Sequence, residues 1–276
     1  MNRARLLQLG FRLGARAPGG LSQGAWLATA PDGRPVVLKW SSDPTMADRY
    51  AALLPALSQL RARGVPAPEY LHVIPFEGGT LSAQEFLPGR SEDTPPPAVI
   101  ESLVACLSAQ AGLAGPSPAA DPPTWGAFVV GSLAPGQALH EPLRCGGRRS
   151  ASVLDRIQAL GSDADPSWFP TDGLVHLDLH TDNVLVDQGQ LSGIIDWEEA
   201  CTGDPRYDLV QFAFDLDGHA QPIWEVVEDA ALEPRILRAY LALLVLKCTS
   251  AAIRHRPEDV ERQLARAERV FQRYGL

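Results

Sequence analysis

Residues 174–210 read LVHLDLHTDNVLVDQGQLSGIIDWEEACTGDPRYDLV, and three side chains in this stretch have types and spacing that could do chemistry: Asp178, Asn183 and Asp196. Val175 is an apolar lead-in to His176-Leu177-Asp178, and Asn183 follows Asp178 by five positions. Val184-Leu185-Val186 is a β-rich run, Gly189 makes a turn, and Ile194-Ile195 deliver Asp196. The pattern predicts strand, polar loop, strand, turn, strand, acidic loop and helix start. Two carboxylates and a carboxamide at the ends of short strands suit phosphoryl transfer. That reaction needs one group to orient a hydroxyl and oxygen ligands for Mg²⁺ on the nucleotide phosphates.

A lone Asp or Asn in a loop is more often a turn-former or helix cap. Asp204 and Asp208 fit that plainer role, with Asp208 expected to brace the 176–178 loop from a helix start. His176 fits a packed, hydrogen-bonded scaffold. His176 and His180 have an H-x-x-x-H spacing, but the Glu of the zinc-protease pattern is missing and the pair lies in a loop, so zinc is rejected.

His176-Leu177-Asp178-Leu179-His180-Thr181-Asp182-Asn183, Ile195-Asp196-Trp197 and Gly203-Asp204-Pro205-Arg206-Tyr207-Asp208-Leu209 together resemble the H-G-D-x-x-x-x-N, I-D-W and G-D-P-x-x-D-L signature of the aminoglycoside phosphotransferase family. Three linked motifs in order are far more specific than H-x-D alone. The resemblance implies an α+β, bilobal, protein-kinase-like fold. Its small β-rich N-lobe, residues 1–87, would bind nucleotide, and its larger helical C-lobe, residues 88–276, would bind the acceptor, with the nucleotide cleft between. It implies Asp178 as catalytic base and Asn183 and Asp196 as Mg²⁺ ligands. Leu177 stands where the family usually has Gly, which implies bulkier packing.

Upstream, Pro31-Asp32-Gly33 predicts a hairpin turn between strands near Gly24–Ala30 and Pro35–Trp40. The glycine-rich 19–24 stretch, with Ser22 and Gly24, could lie over phosphates and offer backbone N–H groups. Gly20-Leu21-Ser22-Gln23-Gly24 also matches the G-x-S-x-G hydrolase elbow, but no buried strand precedes it and no helix follows, so the match is coincidence. Lys39 ends the run Val36-Val37-Leu38. A compact ammonium there suits phosphate contact, and a strand-end lysine reaching solvent is the plain alternative. By resemblance it is the nucleotide lysine.

A helix is expected near Thr45–Arg63, broken or kinked at Pro55, and the resemblance implies a Glu on it to pair with Lys39. Tyr50 occupies that place. The remaining partners are Asp48 after a register shift, or Asp196 through metal and phosphates. Strands near Glu69–Pro75 and Thr80–Phe86 lead to a hinge where, by resemblance, backbone groups of Glu85, Phe86 and Leu87 meet the adenine edge. Val37, Leu185 and Ile195 would be its apolar walls or plain core. Helices follow near Ala98–Gln110, Thr124–Leu133, Ser150–Leu160, Arg206–Leu216, Pro222–Ala230, Pro234–His255 and Pro257–Tyr274, with an undefined loop at Cys145-Gly146-Gly147.

The composition is that of a globular chain, 45% hydrophobic and 21% charged, with net charge -9. The acids are unevenly spread: residues 163–233 hold 17 acids and one base, Arg206. Such a field attracts a cationic acceptor and repels nucleic acid; the bland alternative is a solvated acidic surface. The resemblance implies that acids of the catalytic loop and C-terminal helices meet the acceptor's ammonium groups, and the matching candidates are Asp182, Glu199, Asp215, Asp217 and Glu228. Trp168, Trp197 and Trp224 are either walls of that pocket or core. Four scattered cysteines without a C-x-x-C suggest reduced, mostly buried thiols. The basic N-terminus has no apolar core of a targeting peptide, and the apolar stretch at Leu241–Leu246 is short for a membrane span. A cytoplasmic protein without membrane, nucleic-acid or obligate protein partners is expected.

Together these readings predict an ATP- and Mg²⁺-dependent kinase for a small, cationic hydroxylated molecule. The acceptor would be an antibiotic of the aminoglycoside or basic cyclic peptide (viomycin/capreomycin) type. The alternatives are a kinase for an amino alcohol or sugar metabolite and a non-catalytic nucleotide-binding pseudokinase. Nothing in the sequence separates ATP from GTP.

Overall fold

The computed structural model describes residues 2–16, 24–119, 124–216, 221–229 and 232–276. Contacts gather it into two compact units, 1–116 with 180–200 and 117–179 with 201–276. Helix α1 (Arg3–Gln8) opens the first unit, capped by the Asn2 carboxamide, which accepts from Ala4 N and Arg5 N. Its Leu6 is buried with Phe11, Val36 and Leu38.

Five strands form an antiparallel sheet: β1 (Arg12–Arg16), β2 (Trp26–Thr29), β3 (Pro35–Ser41), β4 (Tyr70–Phe76) and β5 (Gly79–Glu85), in the order β1-β2-β3-β5-β4. The β2–β3 hairpin closes as expected: Gly33 takes φ 88 and donates to Ala30 O, while Arg34 N donates to the Asp32 carboxylate. Helix α2 (Met46–Ala62) crosses from β3 to β4 and continues through Pro55 without the break that the sequence allowed there. Pro55 and Ala51 are both exposed, so solvent can serve the carbonyl that the ring leaves without a donor. Helix α3 (Pro97–Ser108) begins with Pro at its first position, where the missing N–H costs nothing.

The second unit starts with α4 (Trp125–Leu133), capped by Thr124 Oγ1, then α5 (Glu141–Cys145), α6 (Arg148–Asp163) and strand β6 (Gly173–Val175). The loop foreseen at Cys145 is therefore helical up to Cys145, and α6 is longer than the reading of Ser150–Leu160. The chain then re-enters the first unit as the hairpin β7 (Val184–Asp187) and β8 (Gln190–Ile194), turned by Gln188 and Gly189 at φ 50 and 76. The hairpin belongs with residues 1–116 in the first unit. Arg90 bridges to Val186, Ser192 Oγ donates to Pro88 O, and α3 packs on β8. Gly89 (φ 111) is obligatory there, since a Cβ would lie 2.5 Å from Ser192 Oγ and 2.8 Å from Val186 O.

Residues 201–203, expected as loop, form strand β9 (Cys201–Gly203) and pair with β6. Helices α7 (Arg206–Leu216), α8 (Gln221–Asp229), α9 (Pro234–His255) and α10 (Val260–Tyr274) complete the second unit. The apolar stretch around Leu241 proves longer than read. Within α9 an 18-residue window reaches mean hydropathy 1.7, enough by length and composition to cross a membrane, yet 67% of it is buried inside the protein. Helices α4, α5, α6, α7 and α10 all pack on α9, which is the behaviour of a core helix. The cysteines are free, and they are less buried than expected: Cys201 is fully buried, Cys106 and Cys248 are half-buried and Cys145 is exposed.

The core of the second unit is tied by a buried polar chain. Trp125 Nε1 donates to Tyr240 Oη (3.0 Å), which donates to Asp204 (2.8 Å), and Asp204 also binds the Arg206 guanidinium. Gly203 leaves room for the Trp125 ring, 2.6 Å from where a Cβ would sit. The motif Gly203-Asp204 is thus a packing device. Tyr240→Phe should leave the Trp125 N–H buried without an acceptor and lower stability by about 1–3 kcal/mol in urea unfolding.

Candidate active site

Lys39 lies on β3, paired in register with Ser82 of β5. Its ammonium is 2.7 Å from Asp196 Oδ1 and 2.7 Å from Glu198 Oε1. Asp48 is exposed and takes no part, so no register shift of α2 occurs. The lysine meets Asp196 directly, where the sequence reading had allowed only a link through metal and phosphates. Glu198 is the group that reading missed. Its signal was present: it stands two residues after Asp196, and Asp196 adopts a left-handed backbone (φ 69, ψ 50) opening a 3₁₀ turn over Trp197–Glu199. That turn brings both carboxylates round to one ammonium.

The electrostatics follow from this count of charges. Burial works against the Lys39 charge, but Glu198 and Asp196 together outweigh it and hold the ammonium above its ordinary range. Burial, with Asp196 close by, pushes the Glu198 carboxyl up to about 7 against the pull of Lys39. Glu198 Oε2 is buried without a hydrogen-bond partner. Two acids on one base leave a negative charge unmatched.

Asn183 is 5% exposed, at the end of a 3₁₀ turn over Thr181–Asn183. Its side-chain amide nitrogen is 3.3 Å from His180 Nε2, and its main-chain carbonyl accepts from Ile195 N, which ties it to the segment bearing Asp196. A carboxamide oxygen and carboxylate oxygens in a locally negative setting are the hard donors that Mg²⁺ takes, so these residues fit that ion. The expected apolar walls Val37, Leu185 and Ile195 are half-buried, while their neighbours Val36, Val184 and Ile194 are fully buried. Leu185 and Leu87 both close on Gly193, whose missing side chain admits them. In the hinge, Phe86 N donates to Pro35 O (3.4 Å) and the Glu85 carboxylate binds Arg61. Gly24 takes φ 73; Ser22 and the rest of the 19–23 glycine-rich stretch lie outside the described residues.

Asp178 belongs to the second unit and is half-buried. Its N–H donates to His176 Nδ1 (3.3 Å), and His176 itself is fully buried, a scaffold. The buried Asp208 carboxylate accepts from His176 N (2.6 Å) and Leu177 N (3.0 Å), bracing the loop from α7 as the sequence suggested. Leu177 is buried, as its bulk implied, but at φ 69, a conformation that explains why Gly is usual there. Its carbonyl accepts from Lys247 Nζ (2.9 Å), a support the sequence did not reveal.

The acceptor candidates are not brought together in one unit. Asp182 and Glu199 are exposed in the first, and Asp215 and Glu228 lie in the second, with Glu228 3.6 Å from Arg273. Asp217 lies outside the described residues. Trp197 is core, its indole donating to Ile194 O. Trp224 does wall a cavity of about 250 Å³, but with Arg266, Arg269 and Arg273, a lining that repels a cation.

Residues 14–270 match the model of the phosphotransferase enzyme family. The chain belongs to that family. Among curated members it is 27% identical over 202 residues to hygromycin-B 4-O-kinase of Escherichia coli, covering 66% of this chain and 56% of that one. It is 38% identical over 92 residues to homoserine kinase of Neisseria meningitidis, covering 33% of this chain and 27% of that one. The chain thus spans about a quarter to a half of the length of these relatives. A thermostable mutant of aminoglycoside phosphotransferase APH(4)-Ia, crystallised with AMP-PNP and hygromycin B, superimposes with TM-score 0.71 at 23% identity, over 94% of this chain and 93% of that one. The family fold, α+β and kinase-like, is therefore the fold of this chain.

The raised Glu198 carboxyl sets a pH signature. Folding raises its pKa from 4.5 to about 7, so its stabilising contribution is complete below pH 4.5 and is lost as pH rises through 7. In metal-free protein, Glu198→Gln should melt progressively higher than wild type as pH rises from 4.5 to above 7, and the gap should then level off. Tm against pH for the two proteins measures it.

Proposed function

We propose that the chain is an ATP- and Mg²⁺-dependent phosphotransferase that phosphorylates a hydroxyl of a small cationic molecule, an antibiotic of the aminoglycoside or basic cyclic peptide type, and so confers resistance. The observation that carries the reading is Lys39, on the strand next to the hinge strand, set 2.7 Å from Asp196 across 157 residues of sequence. Family membership and the intact Asp178, Asn183 and Asp196 support it.

In this reading the adenine edge meets the backbone of Glu85, Phe86 and Leu87 between Val37, Leu185 and Ile195. Lys39 steadies the phosphates. Asn183 and Asp196 hold Mg²⁺, which when bound offsets charge on the phosphates. Asp178 orients the acceptor hydroxyl and takes its proton, held in place through His176, Asp208 and Lys247. Little covalent chemistry falls to the protein, so positioning and charge neutralisation carry the rate. The acidic stretch 163–233 supplies the field for a cation, and use of ATP fits a cytoplasmic site of action.

One observation favours a second reading. The local likeness to homoserine kinase points to an amino-alcohol metabolite as acceptor. A pseudokinase reading draws on Tyr50 at the helix position of the usual acid, yet Glu198 supplies a carboxylate to Lys39 all the same.

The test is mass spectrometry of aminoglycosides, basic cyclic peptides, and amino alcohols including homoserine, each incubated with the protein and Mg-ATP. One class should gain a single phosphoryl group, and Asp178→Asn should lower kcat by about 10²–10⁴-fold. Phosphorylation of amino alcohols alone would replace the antibiotic reading with the metabolic one. Product formed equally well by Asp178→Asn would remove Asp178 from its role.

A further inference from the structure

We propose that Glu198 is the anchor of the nucleotide lysine, standing in for the helix carboxylate of protein kinases, and that Arg49 fixes the backbone from which Glu198 acts. Both are positioning residues, and the inference rests on the reading that Lys39 meets nucleotide phosphates. Protein kinases become competent when their strand lysine pairs with a Glu on the neighbouring helix. Here that helix is α2, and the residue at the expected position is Tyr50. Its phenol is buried, 3.5 Å from Ser82 Oγ, and its ring is tilted against Tyr70 at 5.3 Å. A neutral phenol gives an ammonium no counter-charge.

Glu198, on the 3₁₀ turn that follows Asp196, gives it one. Its Oε1 receives both Lys39 Nζ at 2.7 Å and Gln84 Nε2 at 3.3 Å. Ser82 is the register partner of Lys39, and Gln84 is two residues further along β5, so with a strand period of two all three side chains share one sheet face. Gln84 also reaches Ser82 Oγ, so Tyr50, Ser82, Gln84, Glu198 and Lys39 form one polar chain. The acid is held by the sheet that carries the lysine. Asp196 touches Lys39 too, but in the proposed reaction it is a metal ligand. A second carboxylate leaves the lysine anchored when Asp196 turns to the ion.

Helix α2 keeps a hand on this anchor by another route. Arg49, next to Tyr50, donates from Nε to Glu198 O (2.6 Å) and from Nη2 to Glu199 O (2.6 Å) and Ala200 O (3.1 Å). Only a planar guanidinium fork grips three successive carbonyls in this way; a lysine has the charge without the fork. The helix therefore acts on the lysine through the 198–200 backbone instead of through a carboxylate of its own.

A thermodynamic cycle on the full chain tests this. Calorimetry would give Kd for Mg-ATP and for adenosine with wild type, Lys39→Met, Glu198→Gln and the double variant. Glu198→Gln should weaken Mg-ATP about tenfold, the scale of one charge-assisted hydrogen bond, while leaving adenosine unchanged. In the Lys39→Met background it should add nothing. Arg49→Lys, which leaves Glu198 in place, should show the same selective loss at about threefold. A Glu198→Gln loss that persists in full without Lys39 would make Glu198 a metal ligand and overturn the proposal. An equal loss of adenosine affinity would reduce Glu198 to general packing and overturn it as well. Wild type that binds adenosine and Mg-ATP with no dependence on Lys39 would instead sink the underlying functional reading.

Discussion

Everything in the first unit turns on a shortage of positive charge. One ammonium, Lys39, serves two carboxylates, Asp196 and Glu198, all three side chains being less than a quarter exposed. Such a cluster is expensive to assemble for stability alone, because desolvating three ions costs more than one pair of contacts returns. Its sense lies in what it attracts. In the proposed reaction, two carboxylates facing one ammonium would favour a divalent cation and set it beside the lysine proposed to meet the phosphates. The β3–β5 register, the 3₁₀ turn after Asp196 and the grip of Arg49 all serve to keep these three groups together.

The backbone bears part of that burden. Among the described residues, four that are not glycine have positive φ: Glu77, Leu177, Gln188 and Asp196. Glu77 and Gln188 precede Gly78 and Gly189 in tight hairpin turns, where the left-handed conformation matches the twist of the strands. Leu177 and Asp196 have no such excuse. Leu177 precedes Asp178 and Asp196 is itself a residue of the proposed chemistry, and each is over-determined by its surroundings. Leu177 is held by Asp208 on its N–H and Lys247 on its carbonyl, and Asp196 follows Ile195, whose N–H binds Asn183 O. Strain held by several independent contacts is a mark of a functional site.

Much of this was legible in the sequence, for reasons that can be stated. Strand and helix limits followed from apolar period and punctuation: Pro35, Gly33 and Gly189 marked turns, and Arg206–Leu216 and Pro234–His255 came out as read. Asp208 could be assigned to bracing because an acid at a helix start faces the N–H groups of a nearby loop. What stayed hidden depended on contacts between distant residues. Glu198 looked like one more acid in an acidic loop, since only the left-handed turn at Asp196 brings it to Lys39. Lys247 was anonymous inside an apolar helix until Leu177 O appeared beside it. β9 has only three residues, too short for any period to show. No break occurs at Pro55: propensity counts its missing N–H and ignores an exposed helix face that tolerates the loss.

Arginine supplies nearly all the positive charge of this chain; of its 24 basic residues only Lys39 and Lys247 are lysines. One is paired with Asp196 and Glu198, and the other is bound to the carbonyl of Leu177, next to Asp178. Both lysines of this sequence, then, belong to the proposed catalytic apparatus. Reagents and enzymes that acylate amines, which on most proteins scatter over a solvated surface, have here no neutral place to react. Under the proposed function, lysine acylation would amount to inactivation, and protection of these amines would report directly on the state of the site.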